Sequence, residues 1–589
     1  MKGLLIGFML MGFVFTAFAQ VTVKGVIRNG PKPIGYATIG IKGTTRSAMS
    51  NEHGEFTIIV TRLPQTVIVS AIGFEVEEFN IQSTFVTIEL KPKVYEIKEV
   101  SVKSDAAYRM FDKAYKRLLK PGYIAFNGKV FYRLITQNDT VYTEFMEGFY
   151  NVQANPTGFN YWRLKHGRYA IVDDYREKHY VMSIDFSALM KYMDITNGQK
   201  SGVHFPLFPF RPNAGSLYAF TLNGYTYLHN REVSKILFSP KIKNNDAFEG
   251  TAFIHEESGN LHRLEVTYGR PSSSLIRSQY TKEPAADLAV KYTIDFTEDP
   301  SGRMLISWVD IDLKYVYVHD GNRTPIHSQL RCFVYEKETE LITSELQRTT
   351  ADKESGITKN SIRTLNGLMD VNGFSDYEAI RSRFYIKSFW EENQVIAQTA
   401  LQQKITAQFE EKRSFGRAFN DVGDTLSALQ EGYVLLGQKE NRLMSVVPES
   451  TRNIDDPGGI VLTLDGKQCG ALNSRLLVSY NCYKDSFYLS VLPVMDTTLT
   501  WMSDSLKRDD IFSHVFKYYS RLTAVSAKQL KSSLLKVISP CDNELALYDM
   551  IRKANEDLFN DQLLLINDLW KGNEFPFWER YLRGLEKEY

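Results

Sequence analysis

VKGVIRNGPKPIGYATIGIKGTTRSAMSNEHGEFTIIV, residues 23–60, is a succession of short β-strands cut by turns. Val21, Val23 and, beyond Gly25, Ile27 alternate along one strand, and Arg28-Asn29-Gly30-Pro31 turns the chain. Ala37 to Ile41 is a second strand, followed by a turn at Gly43-Thr44-Thr45. Asn51 to Gly54 forms a tight turn into the strand Phe56 to Val60. Downstream, Thr66 to Ala71 and Phe85 to Leu90 continue the series. Short strands at this density predict a small β-sandwich, with turn glycines able to take positive φ and with Phe56 and Phe74 plugging its centre.

The same stretch, followed by TVIVSAIGFEVEEFNI (66–81) and VTIEL (86–90), resembles the carboxypeptidase-regulatory-like domain. The residues that carry the likeness are Gly25, Pro33, Ala37, Gly43, Thr44, Asn51, Gly54, Phe56, Ser70, Gly73 and Phe74. The glycine usual after K-G-T is replaced near Arg46-Ser47. The resemblance implies a transthyretin-like, carbohydrate-binding-like sandwich used as an interaction module, as similar domains are used ahead of TonB-dependent receptors and surface enzymes. In the peptidases that give the domain its name it follows the catalytic domain; here it comes first.

Outward from the sandwich, the N-terminus reads as an export signal. Lys2 gives a positive start, Leu4 to Phe15 is apolar apart from Gly7 and Gly12, and Ala17-Phe18-Ala19 offers a small-x-small cleavage pattern with Gln20 as the new N-terminus. That run is short for a ~30 Å hydrocarbon core. Localisation in the periplasm or at the outer membrane is the expectation. With 70 basic and 69 acidic side chains the chain lacks the net basicity expected of a nucleic-acid partner. Aromatics make up 13%, which favours half-buried sheet faces.

The whole chain of 589 residues predicts a multi-domain, mainly β protein with α. The expected parts are a signal peptide (1–19), the transthyretin-like β-sandwich (20–92), a linker strand and helix (93–122), a central antiparallel β domain with helical insertions (123–350), a helical region (351–430), and a mixed α/β C-terminal region ending in helices (431–589). Ser104-Asp105 opens a helix with Tyr108, Phe111, Tyr115 and Leu118 on one face. Aromatic and β-branched runs from Gly128 to Glu336 form a meander, with a hairpin turn at His255 to Asn260. Ser375 to Glu378 and Thr399 to Gln402 are capping boxes, the second opening a helix whose stripe is Leu401, Ile405 and Phe409. In the tail, Leu547, Ile551, Ala554, Leu558 and Leu565 recur at helical spacing. EIKEVSV (96–102), AFEGTAFIHEESGNLHRLEV (247–266) and SFWEENQVI (388–396) resemble the middle part of exported proteins of Gram-negative bacteria that carry the regulatory-like domain. The strand–turn–strand at 250–264 is also similar to lipoprotein-carrier folds, which implies an open half-barrel holding a lipid.

No catalytic constellation emerges. His229-x-x-Glu232 with His319 or His327 matches a zinc-ligand pair plus a distal ligand, but it lies between strands. His255-Glu256-Glu257 lacks the second histidine of a zincin and reads as a hairpin tip. Asp173-Asp174 and Asp509-Asp510 are neighbours in sequence, the wrong placement for facing carboxylates, and read as surface charge. Phe205, Phe208 and Phe210, set among three prolines at 206–212, form an irregular apolar loop, either tucked over a sheet edge or exposed to lipid, glycan or protein. Tyr161 and Trp162 are candidates for the same surface. Of Cys332, Cys469, Cys482 and Cys541, Cys469 and Cys482 are spaced to close a disulfide across a hairpin, the alternative being four buried thiols. The expectation is a non-enzymatic cell-envelope binding or assembly protein with no cofactor, an envelope protein partner or a glycan or lipid ligand, and peripheral outer-membrane association. A periplasmic lipid or glycan carrier with an open β cup is the alternative, and an envelope hydrolase or zinc peptidase stands behind both.

Overall fold

The computed structural model describes residues 20–93, 104–119, 126–171, 189–190, 193–196, 206–228, 231–242, 246–277, 284–298, 302, 304–319, 321–338, 380, 383–411, 433–436, 460–464, 467–496, 500–572 and 574–589. The export signal, the linker strand at 94–102, the capping box at 375–378 and Phe205 lie outside these residues.

The N-terminal strands form the sandwich expected from their motifs. One sheet holds β1 (Val21–Asn29), β2 (Lys32–Pro33), β5 (Glu55–Val60) and β8 (Phe85–Glu89); the other holds β3 (Thr38–Ile41), β4 (Ser47–Met49), β6 (Gln65–Ser70) and β7 (Glu77–Ile81). Val23, Ile27, Ile39, Phe56, Val67, Val69 and Ile88 fill the space between them, with Phe74 against their margin. The motif residues have local causes. Asn51 Oδ1 accepts from the amides of His53 and Glu55, at 2.9 and 3.0 Å, which closes the turn into β5. Gly54 takes φ +73°, and a Cβ there would lie 2.3 Å from Ile27 O. A Cβ on Gly25 would come within 2.7 Å of the Phe56 ring, so this glycine makes room for the plug.

The central domain is one ten-stranded antiparallel sheet in the order β11-β10-β9-β18-β17-β16-β15-β14-β13-β12. Its strands are β9 (Phe126–Asn138), β10 (Val141–Asn155), β11 (Gly158–Ile171), β12 (Tyr218–Leu228), β13 (Arg231–Pro240), β14 (Glu249–Ile254), β15 (Leu261–Arg277), β16 (Pro284–Glu298), β17 (Met304–His319) and β18 (Asn322–Glu338). Strand order follows the sequence except at one seam, where the last strand, β18, pairs with the first, β9. Strands β10 and β17, three places apart, approach within 8 Å between Cα atoms; a flat sheet would hold them ~14 Å apart, so the sheet curls. Its inner face, the one under helix α1 (Ser104–Leu118), carries the largest core of the protein, with Tyr132, Tyr150, Phe220, Phe238, Phe248, Tyr292 and Val309 among its members.

On the outer face lies a strap running through α2 (Lys387–Glu392) to α3 (Ala400–Glu411). The predicted capping box at its end is present: Thr399 N donates to Gln402 Oε1 and Gln402 N to Thr399 Oγ1, both at 3.2 Å. The predicted stripe of α3 is only partly right. Ile405 is buried, but Leu401 is 50% exposed, because Gln402 turns inward to a buried arginine of the sheet; the Phe409 side chain is outside the described residues.

The C-terminal region pairs β23 (Ser486–Asp496) with β22 (Ser474–Tyr483) and β19 (Tyr433–Leu435), and β21 (Lys467–Leu472) with β20 (Ile460–Leu464) and β24 (Trp501–Met502). Helices α4 (Asp510–Leu535), α5 (Glu544–Gly572) and α6 (Phe575–Glu588) cover them. The predicted tail stripe is on α5, with Leu547, Leu558 and Leu565 buried and Ile551 and Ala554 at its edge. Asp509, read from sequence as surface charge, caps α4 by accepting from Phe512 N at 2.7 Å. The disulfide differs from the predicted one: Cys482 joins Cys541. Cys469 lies on β21, which is not the hairpin partner of β22 but belongs to the other small sheet, and its thiol is directed at Leu462 O, 3.4 Å away. Cys332 is also a free, buried thiol.

Candidate functional site

Two surfaces of the central sheet carry the features that function requires. On the inner face, α1 lays Phe111 against the Phe210 ring at 4.4 Å between centroids, with Phe220 at 4.7 Å and Phe238 at 5.8 Å. Phe208 packs on Phe248 at 4.6 Å. The prolines of 206–212 deny this segment a ladder of its own, so its backbone is tied at Leu207, whose amide donates to Asp246 O and whose carbonyl accepts from Phe248 N and the Tyr218 hydroxyl. The rings then drop into the sheet. Phe208 and Phe210 are therefore core residues, at 4% and 0% exposure, rather than an exposed patch. Trp162 belongs to the same core at the far edge strand, between Phe159 and Tyr150, and is equally buried. Tyr161 precedes it on β11, opposite Gln153. The cup expected from sequence is thus occupied by the chain's own helix and loop. Within the described residues, Trp162 Nε1 and Ser234 Oγ on this face are buried without a hydrogen-bond partner. Burial pushes the Tyr292 and Tyr218 hydroxyls well above the ordinary tyrosine range.

Across the outer face runs a row of charges in direct cross-strand register: Arg168, Glu147, Arg133, Arg331 and Asp310, from β11 to β17. Glu147 accepts from Arg133 Nε at 2.7 Å and from Arg168 Nη2 at 2.5 Å, with all three side chains at most 8% exposed. Burial alone would raise the Glu147 pKa, but Arg168 and Arg133 outweigh it and hold the carboxyl below the usual range. At the seam the register sets Arg133 opposite Arg331, an unfavourable like-charge pair. Two other parts of the chain offset it. The strap takes Arg133 Nη2 on Ile396 O at 2.8 Å and Nη1 on Gln402 Oε1 at 3.2 Å. The sandwich sets Glu52 3.6 Å from Arg331, with the Tyr36 ring over the same guanidinium.

The strap also fixes the C-terminal region. His166 on β11 stacks on Phe389 at 3.6 Å, and its Nδ1 accepts from Asn481 Nδ2 at 2.9 Å. Burial, with Arg383 and Lys165 nearby, lowers the His166 pKa to about 3, so the ring is neutral. Glu392 accepts from the Tyr483 hydroxyl and pairs with Lys484 at 2.6 Å. None of these contacts was singled out from sequence. The signal was nonetheless there: Phe131-x-Arg133-x-Ile135 and Phe145-x-Glu147-x-Phe149 each place a charge on an otherwise apolar strand face.

The residues weighed for hydrolytic chemistry do not converge. His229 lies outside the described residues, Glu232 accepts from Tyr227 at 2.7 Å, and His327 Nε2 pairs with Asp312 at 2.7 Å. His255 Nδ1 meets Ser258 Oγ within its own hairpin turn. Among the described residues no three His, Cys, Asp or Glu side chains are grouped to hold a metal, and no helix is long and apolar enough to cross a membrane.

Residues 23–102 match the CarboxypepD_reg-like domain, as the motif residues implied, and residues 189–305 match a family of unknown function, DUF5686. No curated protein matches the chain. Among solved structures, a putative outer membrane lipoprotein-sorting protein domain from Vibrio parahaemolyticus is similar at 10% identity, over 42% of this chain and 99% of that one, with a TM-score of 0.18. A LolA superfamily protein from Nitrosomonas europaea is similar at 10% identity over 38% and 90%, TM-score 0.17. The MucA/MucB complex of Pseudomonas aeruginosa gives 8% identity over 38% and 93%, TM-score 0.14. Scores this low leave these likenesses without weight.

Proposed function

We propose that the chain is a non-catalytic cell-envelope protein that binds an apolar ligand, an acyl chain, on the inner face of its ten-stranded sheet, under α1 and the Phe208–Phe210 segment. The observation that carries this reading is the way that face is covered. Ten strands at ~4.8 Å spacing span ~43 Å along the curve of the sheet, whereas α1 is ~22 Å long and, among the described residues, the rest of the cover is short pieces of chain at 189–190, 193–196 and 206–217. Side chains hold the helix in place. Phe111, with Ala107, Ala114 and Leu118, supplies the apolar contact, and Lys113 Nζ donates to the carbonyls of Glu256 and Glu257 on one hairpin. The helix can be displaced without breaking a backbone bond to the sheet, while the Phe208–Phe210 segment stays tied at Leu207, and the aromatic face beneath suits a flexible hydrocarbon.

The sandwich is then part of the same machine. Its β3–β5 side docks on the outer face through Glu52, through Ser47 Oγ donating to Tyr335 O at 3.2 Å, and through Met49 N donating to Val395 O at 3.0 Å. That docking favours a second role for it, as an internal clamp that leaves its other flank for an envelope protein. Native mass spectrometry of the protein purified from its own envelope without detergent tests the main reading. The expected result is a retained lipid mass that a fluorescent fatty acid displaces. A bare chain that takes up no fatty acid would refute it.

A further inference from the structure

Where the sandwich, the sheet and the strap meet there is a cleft of about 320 Å³, within the size range of small-molecule sites. It is separate from the inner face. Three cationic side chains from three distant parts of the chain line it: Arg46 from the β3–β4 turn, Lys129 from β9 and Lys165 from β11. The one carboxylate among the lining residues is Glu336 of β18. Its Oε1 takes Lys129 Nζ at 2.9 Å, and its Oε2 stands 3.6 Å from Arg46 Nε, beyond hydrogen-bond length. Glu336 thereby holds two cations side by side, while the Arg46 side chain stays 43% exposed and, with five N–H donors, has more than this single loose contact uses. Arginine presents a planar fork suited to carboxylate and phosphate oxygens. Asn151 and Gln394 line the same cleft and offer amides to hydroxyl groups.

We propose that this cleft binds a small sugar-sized anion, a carboxylate- or phosphate-bearing hydroxylated molecule, with Arg46 and Lys129 taking the anionic group. The test is titration calorimetry of the full chain with glucuronate, glucose 6-phosphate and glucose at low and high salt. Binding of at least one anionic sugar, at least tenfold tighter than glucose and weakened by salt, is expected; which of the two binds identifies the anionic group. Arg46→Ala should weaken it at least tenfold and Arg46→Lys by less, and because Arg46 is exposed and only loosely paired both variants should keep the wild-type melting temperature. Lys129→Ala, on another strand, provides an independent loss. Three results would each overturn the proposal: no anionic sugar binding, equal binding of glucose, or wild-type affinity in both alanine variants. Fatty-acid uptake at the inner face is measured separately and is unaffected by either variant.

Discussion

Acidification should loosen the C-terminal region from the central sheet through His166. In the folded protein this imidazole is buried against Phe389, its Nδ1 is filled by the Asn481 amide, and its pKa is lowered to about 3. Released, it would return to ~6.5. A histidine depressed in this way favours the docked state fully above the released pKa and loses that contribution as pH falls from there toward the docked one. Between pH 7.5 and pH 5 linkage gives a loss of ~2 kcal/mol, or ~30-fold in the docking equilibrium. Asp295 acts with the opposite sign. Burial, against Arg263, raises its carboxyl to about 6, so the central sheet gains stability as pH falls through 6 toward the ordinary aspartate range. A global melting curve would mix the two, and the readout must be local. Hydrogen exchange of peptides covering 383–396 and 478–490 reports the docked hairpin, where Phe384 N donates to Tyr480 O. After correction for intrinsic rates, protection should drop by roughly one to two orders of magnitude at pH 5, and His166→Gln, which does not titrate, should abolish the drop. Unchanged wild-type protection, or an equal drop in the variant, would refute the reasoning.

Other outcomes follow from the same contacts. Glu147→Gln leaves Arg133 and Arg168 buried without their counter-charge and should cost ~3–5 kcal/mol in urea unfolding; because the Glu147 pKa is lowered, its contribution in the wild type is present above pH ~4.3 and is lost as pH falls through the folded value. Cys541→Ser opens the crosslink to Cys482 and should lower the stability of the C-terminal region by ~2–4 kcal/mol, whereas Cys469→Ser leaves that crosslink intact, a contrast that non-reducing peptide mapping with thermal melts resolves. Phe111→Ala should destabilise the central domain by ~3–5 kcal/mol and, on the proposed function, raise uptake of a fluorescent fatty acid; a destabilised variant with unchanged uptake would count against α1 as the cover.

What could be read in the sequence was local. The sandwich was legible because Asn51 acts on amides a few residues away, Gly54 supplies a positive φ within its own turn, and Gly25 clears one facing ring. The His255–Asn260 turn and the Thr399–Gln402 box are set by residues within the motif itself. The fate of Phe208 and Phe210 was not legible, since an irregular Phe-Pro segment looks alike whether it covers a face from inside or protrudes. Cys482 paired with a residue 59 positions away, across a helix, where spacing gave no guide. Likewise the row Arg168–Glu147–Arg133–Arg331 exists only once strand register is known, and the strap that completes it arrives more than 260 positions after Arg133.

The β9–β18 seam has a consequence for how the protein folds. Every other pairing in the central sheet joins strands that follow one another in the chain, and these hairpins form by short-range closure. The seam joins residues such as Thr136 and Ser328, 192 positions apart, and pairs Arg133 with Arg331. Long-range closure is slow, and each incoming edge here carries an arginine whose first counter-charge sits on its own hairpin, Glu147 for Arg133 and Asp310 for Arg331. Glu52 of the sandwich and Ile396 O and Gln402 of the strap add to that pairing once they dock. Sandwich and strap therefore reinforce the seam rather than permit it: a chain lacking either should hold the seam less firmly, and an opened seam bares β9 and β18 as edges, the state most open to misassembly with another copy.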